Sequence, residues 1–423
     1  MISRVKGTQD FLDLTLYDFI IDQARSHLAV YNFSHVETPI IEHLELFQRS
    51  LGEHTDVVSK EMFVIEPKGE ASEVKPGEKI CLRPEATASV ARAFAENGVQ
   101  TTPWKVFTYG PMFRYERPQK GRYRQFHQLS IEVIGSNSIA QDAQFIKMLD
   151  RFFHEKLKLN NYALLLNFIG CAQDRKAYVE KLQGFLNSPA AAQICGQCLV
   201  RKEHNVLRIF DCKTSLCQEI YKNAPLIADN MCEQCTSEWK QLQEQLSLLS
   251  VSYAYKPTLV RGLDYYNKTV FEFSSENLGA QNAFCGGGRY DQLVGQIGGR
   301  EDQPSIGAAM GIERIMLLLE QNLDKLRIPQ KPALQVIMPF AKEQQMLALL
   351  LADELHAAGI TVETLLEGDS IKSMMKKANK LGAAHAIMLG EDEQQNRTVT
   401  VKNMITGEQV IIAQTELVGY LKK

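Results

Sequence analysis

Between residues 114 and 124 the chain carries Arg114, Arg117, Lys120, Arg122 and Arg124, opposed only by Glu116. Guanidinium groups offer planar, bidentate donors that match phosphate oxygens, and they stay charged near neutral pH. Such a cluster suits a polyphosphate or a nucleic-acid backbone. A solvated hairpin tip would have the same composition, so the residues beyond it decide. If "YRQFHQLSIEVIG" is extended, Arg122, Arg124, Phe126 and Gln128 share one face, and Glu132 continues it. That order of cation, cation, ring, amide and carboxylate is a poor core face. It makes a better ligand floor, with a phosphate end, a ring to stack on and an acidic end.

These residues need a scaffold. A chain of 423 residues is long enough for more than one domain. Its net charge is −3, so a polyanion would meet local patches rather than a basic surface. No G-x-x-x-x-G-K-[ST] is present, which excludes a P-loop. Gly286, Gly287 and Gly288 lead into Arg289 instead; alone, such a run reads as a bulge or tight turn. No apolar run is long enough to span a bilayer and none follows Met1 as a signal core, so a cytoplasmic protein is expected.

Apolar residues at Leu16, Phe19, Ile20, Ala24 and Leu28 predict a helix. "FSHVETPII" predicts a strand, and "KICLRPEATASVARAFA" a strand turning into a helix near Pro84. "WKVFTYGPMFRYE" and "YRQFHQLSIEVIG", joined by "RPQKGR", predict a long antiparallel hairpin. "YALLLNFIG" reads as a buried strand. Residues 172–248 read as a mostly helical insertion, strand texture returns near 255–275, and "AAMGIERIMLLLEQ" reads as a helix. After a linker, residues 331–423 alternate in βαβαβ order, predicting a mostly parallel α/β domain.

"GPMFRYERPQKGRYRQFHQ" resembles motif 2 of class II aminoacyl-tRNA synthetases in their histidyl form. "LVRGLDYYN" and "GGGRYD" resemble the two histidine-specific motifs of that family, "GAAMGIERIML" its motif 3, the stretch around "VETPI" its motif 1, and "LRPEAT" its amino-acid-binding loop. The resemblance spans nearly the whole chain. Departures are small: "FLD" stands where a proline is frequent, Ala86 where glycine is usual, and Gln292 where glycine is common. It implies an α/β chain: an α+β catalytic domain with an antiparallel class II sheet in two parts, 1–171 and 249–325, around the 172–248 insertion. Residues 331–423 would bind the anticodon.

The activity so implied joins L-histidine to ATP as histidyl-adenylate, releases pyrophosphate, and transfers histidine to the 3′ end of tRNA(His). By the same resemblance Arg114 and Arg261 approach the α-phosphate as the catalytic pair, Arg122 contacts the ATP phosphates, and Phe126 and Arg314 sandwich the adenine. Glu85, Thr87 and Gln128 match the ammonium-binding positions. Glu132 and Tyr266 match those on the imidazole, with Tyr265, Tyr290 and both catalytic arginines completing the histidine site. Gln119 and Arg124 match positions near the tRNA acceptor end. Mg2+ would accompany ATP, and a homodimer through motif 1 is expected. The alternative on this fold is an inactive paralogue, the regulatory subunit of ATP phosphoribosyltransferase; such paralogues lack the anticodon domain and have eroded histidine motifs.

Lys372, Lys376 and Lys380 form a basic stripe in the last domain, readable as a solvated face or an RNA contact. Nine cysteines, an odd number, argue against a secreted disulfide scaffold. Two C-x-x-C pairs, Cys195/Cys198 and Cys232/Cys235, are the zinc candidate. Their separation exceeds that of the commonest zinc ribbons, and the expectation is reduced, buried thiols.

Overall fold

The computed structural model describes residues 2–52, 55–66, 79–279, 282–329 and 331–422. They form two compact units, 1–328 and 329–423.

The first unit is built on an eight-stranded sheet. Its order from one edge is Ser34–His35, Trp104–Phe113, Gln125–Ile134, Ser305–Gly311, Ala283–Arg289, Asn267–Ser274, Ala163–Phe168 and Ala254–Tyr255. The two edge pairings are parallel and all the inner ones antiparallel. Both faces are packed: on one, Val106, Ile134 and Val270 join a cluster with Phe47, Val90 and Phe94, and the other carries the larger cluster. Leu129, Ile131 and Val133 project from the Gln125–Ile134 strand into a buried cluster with Phe19, Ile20 and Leu28 of the helix Thr15–Val30, and with Phe145 and Leu149 of the helix Ile139–Arg151. Asp13 starts the first helix by accepting the Thr15 N–H at 2.8 Å. Strand alternation leaves Phe126, Gln128, Ser130 and Glu132 on the opposite face.

Four local expectations are corrected. The hairpin ladder runs from Trp104↔Ile134 only to Phe113↔Gln125, so Arg122 and Arg124 lie in the connection rather than on the strand face. Pro118 lacks an amide donor, Gly121 has φ +71°, and the Arg124 N–H is taken by the Gly7 carbonyl at 2.7 Å. "FSHVETPII" divides into Ser34–His35 and Ile41–His43, the latter in a separate small sheet with Phe63–Ile65 and Ile80–Leu82. The triple glycine is a strand, not a turn. Any side chain on Gly287 would strike the Gly307 carbonyl at 2.2 Å, so only glycine lets these strands approach. Likewise "GAAMG" enters the sheet as Ser305–Gly311, and the helix begins at Ile312.

A buried ion pair pins the glycine strand to the helix behind it. Arg289, 1% exposed, donates to both oxygens of Asp142 at 2.9 and 2.6 Å, and Thr269 donates to the same carboxylate at 2.7 Å. Asp142→Asn keeps an acceptor but removes the charge. It should cost about 2 kcal/mol of stability in a denaturation titration.

Residues 172–248 are helical, with Ala172–Leu186, Gly196–His204, Ser215–Tyr221 and Glu233–Leu248 as the main elements. The second unit has a five-stranded sheet in the order Val362–Thr364, Gln335–Pro339, His385–Leu389, Thr398–Asn403, Gln409–Ala413. The expected parallel βαβαβ core is present, extended by two antiparallel strands. Lys372, Lys376 and Lys380 lie on the exposed side of the helix Ile371–Lys380, whose Met374 and Ala378 are buried. Among the described residues, no helix is long and apolar enough to cross a membrane.

Candidate active site

On the face of the large sheet that carries Glu132, part of the floor lacks side chains. In register across the strands, Ser130 faces Ala309, Ala309 faces Gly286, and Gly286 faces Glu272. One step along, Glu132, Gly307, Gly288 and Val270 align in the same way. A Cβ on Gly307 would sit 1.6 Å from Glu132 Oε2, and one on Gly286 would sit 2.1 Å from an Arg261 nitrogen. The glycines are therefore what admits Glu132 and Arg261 to this face.

Glu132 is fully buried, and two hydroxyls hold it: Thr87 donates to Oε1 at 2.7 Å and Tyr290 to Oε2 at 2.5 Å. Glu85 is buried beside it, and its two oxygens accept the Thr87 and Ala88 N–H groups at 2.8 Å, at the start of the helix Thr87–Glu96. Tyr265 packs on Tyr266 with ring centroids 4.5 Å apart and on Tyr290 at 5.6 Å. Gln128 keeps a buried amide oxygen with no hydrogen-bond partner among the described residues. The result is a slot of carboxylates, hydroxyls and one spare acceptor beside three packed tyrosines.

Burial pushes the Glu132 carboxyl from 4.5 up to about 8; the nearby Glu85 adds to the rise, and the two hydroxyl bonds oppose it. Below about pH 4.5 the folded and unfolded chains both carry the proton and burial costs nothing. As pH climbs to about 8 the folded state increasingly resists ionisation and stability is lost; above that the loss is complete. Glu132→Gln escapes this penalty. In thermal melts without substrates, its advantage over the parent should grow from pH 5 to pH 8 and then level off; a difference independent of pH would contradict the assignment.

The arginines gather at the open side of the slot. Arg114 donates through Nε to the Pro84 carbonyl at 2.9 Å, and its guanidinium lies over the Phe126 ring, 5.5 Å from the centroid. Arg122 pairs with the buried Glu116 at 2.6 Å, and Arg114 lies 3.9 Å from the same carboxylate. Arg261 pairs with Glu272 at 2.5 Å. Arg314 donates to the carbonyls of Gly121 and Ala283. Burial, then the proximity of Arg122 and Arg114, lowers the Arg314 pKa. For Arg261 burial opposes the charge, but Glu272 and Tyr266 more than offset it. The charge of Arg114 opposes the rise that burial gives the Glu85 carboxyl, and Arg261 opposes the rise that burial gives Tyr266.

Two expected positions fall outside this cluster. Arg124 turns away: it donates to the carbonyls of Glu116 and Lys6 at 3.3 Å and stacks on Tyr115 at 3.7 Å. Gln119 pairs with Arg122 through the backbone at the turn. Arg314 is anchored to backbone carbonyls, and it is Arg114 that covers Phe126. Glu116, the one acidic residue within the arginine cluster, and Glu272, which nothing in its spacing marks, are the carboxylates that hold Arg122 and Arg261.

The zinc candidate is also corrected. The pairs Cys195/Cys198 and Cys232/Cys235 do not share a site. Cys195 and Cys198 meet Cys212 and Cys217, while Cys232 and Cys235 meet Cys171 and Asp174. All nine cysteines are free thiols. Packing of the insertion helices, not the repeated C-x-x-C, decides the grouping.

A family model described as histidyl-tRNA synthetase matches residues 18–315, and one described as anticodon binding domain matches 335–423. The chain is 43% identical along its whole length to a histidine–tRNA ligase of Halothermothrix orenii, 99% of which is covered. It is 40% identical to one of Clostridioides difficile, with 99% of this chain and 98% of that protein covered. The apo S. aureus histidyl-tRNA synthetase has the same fold, with a TM-score of 0.81 at 32% identity and both chains fully covered. On these grounds the chain belongs to the histidyl-tRNA synthetase family, within the class II aminoacyl-tRNA synthetases.

Proposed function

We propose that this chain is a histidine–tRNA ligase working through the slot and arginine cluster described above. A carboxylate oxygen of L-histidine attacks the α-phosphorus of ATP, and pyrophosphate leaves. A hydroxyl of the terminal ribose of tRNA(His) then attacks the histidyl carbonyl, and AMP leaves. Negative charge grows on the α-phosphate oxygens in the first step, and Arg114 and Arg261 are the cations assigned to it. Arg122 serves the outer phosphates. Phe126 offers the adenine a ring, which requires the Arg114 guanidinium to swing from that ring to the phosphate; Arg314 supplies the other face. Glu116 and Glu272 are the hard-donor carboxylates that would hold a Mg2+ bound with ATP, which would supply charge neutralisation on the pyrophosphate.

Histidine is read by its two ring nitrogens, one donor and one acceptor in the neutral form. Glu132, set by Thr87 and Tyr290, faces one and Tyr266 the other, with Tyr265 as the wall. Glu85, Thr87 and the spare oxygen of Gln128 serve the ammonium. Gln119 and Arg124 lie at the acceptor end of the tRNA, residues 331–423 at its anticodon, and a second copy of the chain joins through the motif 1 region. The single observation that carries the reading is the closed Thr87–Glu132–Tyr290 clamp on the same sheet face as Arg261. A regulatory paralogue has no use for such a clamp, and the match over residues 335–423 also speaks against it. The test is ATP–pyrophosphate exchange with each of the twenty amino acids. Exchange driven by histidine alone is expected, and its absence with histidine would overturn the reading.

A further inference from the structure

The insertion carries chemistry that the ligase reaction does not use. The sulfurs of Cys195, Cys198, Cys212 and Cys217 all lie within 4.8 Å of one another, and Cys195 Sγ is 3.8 Å from Cys212 Sγ. A disulfide needs about 2.05 Å, so these are not bonded pairs. Metal–sulfur bonds of about 2.3 Å in a tetrahedron set the sulfur–sulfur edge at about 3.8 Å. Three of the four thiols are buried, in a module otherwise packed with apolar residues such as Leu182, Ile209 and Tyr221. Peptide N–H groups are aimed at the sulfurs: Cys195 N–H at Cys217 Sγ (3.2 Å), Thr214 N–H at Cys212 Sγ (3.4 Å), and Cys198 N–H at Cys195 Sγ. Such donors stabilise sulfur that carries negative charge. The buried Tyr221 hydroxyl borders Cys198 and adds a further polar group beside the sulfurs.

We propose that Cys195, Cys198, Cys212 and Cys217 form a structural Zn2+ site with four thiolate ligands. The second group, Cys171, Asp174, Cys232 and Cys235, has the same number of donors but a different chemistry. Its Asp174 carboxylate already accepts the Cys171 N–H at 3.2 Å and the Cys232 N–H at 3.0 Å, and Cys232 is exposed. Peptide N–H groups also meet sulfur there, Asp174 at Cys171 Sγ (3.4 Å) and Cys235 at Cys232 Sγ (3.5 Å), but one of its four donors is a carboxylate already engaged and one thiol is exposed, so the four-thiolate group is the better match to Zn2+.

The zinc site also braces the active site, a step that rests on the ligase reading. Between the second and third ligands run Asn205 and Arg208. Asn205 Nδ2 donates to Asp264 Oδ1 at 2.7 Å, and Arg208 pairs with Asp56 at 3.2 Å and Asp211 at 3.3 Å. Asp264 stands between Arg261 and Tyr266, and its own N–H bonds to the Leu51 carbonyl at 3.3 Å. The ion fixes the ends of the segment that holds this loop.

Full-length protein purified without added zinc should contain about one equivalent attributable to this site. The variant Cys198→Ser/Cys217→Ser should lose about one equivalent relative to the parent, and Cys171→Ser should lose none. Because the double variant could misfold, Co2+ exchanged into the parent gives a separate readout: intense tetrahedral bands at the red end of the visible spectrum and a thiolate charge-transfer band in the near ultraviolet. Less than about 0.3 equivalents in the parent, retention by the double variant, or a cobalt spectrum without thiolate bands overturns the site. In pyrophosphate exchange the zinc-free double variant should show a KM for histidine raised about fivefold with the KM for ATP unchanged. An unchanged histidine KM overturns the brace while leaving the metal result standing. A parent with no exchange at all refutes the ligase reading, not the metal.

Discussion

Replacing Arg261 with alanine should slow histidyl-adenylate formation about 10³-fold in single-turnover measurements, while tRNA affinity changes less than about twofold. The guanidinium lies against Gly286, pairs with Glu272 at 2.5 Å, and neighbours Tyr266 in the amino-acid slot. Its loss removes a fixed cation from the reacting phosphate and leaves Glu272 there as an uncompensated negative charge. A parallel fall in tRNA affinity would place Arg261 on the nucleic acid instead.

The second large effect is expected at Glu132. Glu132→Ala should reduce kcat/KM for histidine at least about 10⁴-fold in pyrophosphate exchange, with the KM for ATP little altered. The carboxylate is the shared acceptor of the Thr87 and Tyr290 hydroxyls, so its removal strips the imidazole of a partner and leaves two buried donors unpaired. Comparable losses for ATP and histidine would mean that the substitution collapses the whole site rather than the slot.

Much of this was legible in the sequence, for identifiable reasons. The helix Thr15–Val30 follows from periodicity, because one face is buried, and the paired strands Trp104–Phe113 and Gln125–Ile134 and the βαβαβ core of the second unit follow from apolar runs bounded by turn residues. Glu132, Thr87, Glu85 and Tyr266 were named through the motifs, and they do assemble. What escaped depends on contacts between distant segments. Arg124 fits an extended strand by alternation, yet the carbonyl of Lys6 and the ring of Tyr115 capture it. Gly286–Gly288 carry the composition of a turn, yet close approach of neighbouring strands makes them a strand. Cys212 and Cys217 lack C-x-x-C spacing, so only folding shows that they meet Cys195 and Cys198. Arg289 reads as part of a ligand motif, yet it spends its donors on Asp142 and on the Ser136 and Ser138 carbonyls, behind the site.

The bare positions at 286, 288 and 307 have a consequence for how this enzyme can vary. Sheets usually accept alanine for glycine with little harm, but at these three a methyl group would land 2.1 to 2.4 Å or less from Arg261, the Thr269 carbonyl or Glu132. Saturation mutagenesis scored by growth should therefore trace a forbidden stripe through 286, 287, 288 and 307 across otherwise permissive strands, and its outline would record where Glu132, Arg261 and the neighbouring strands need room.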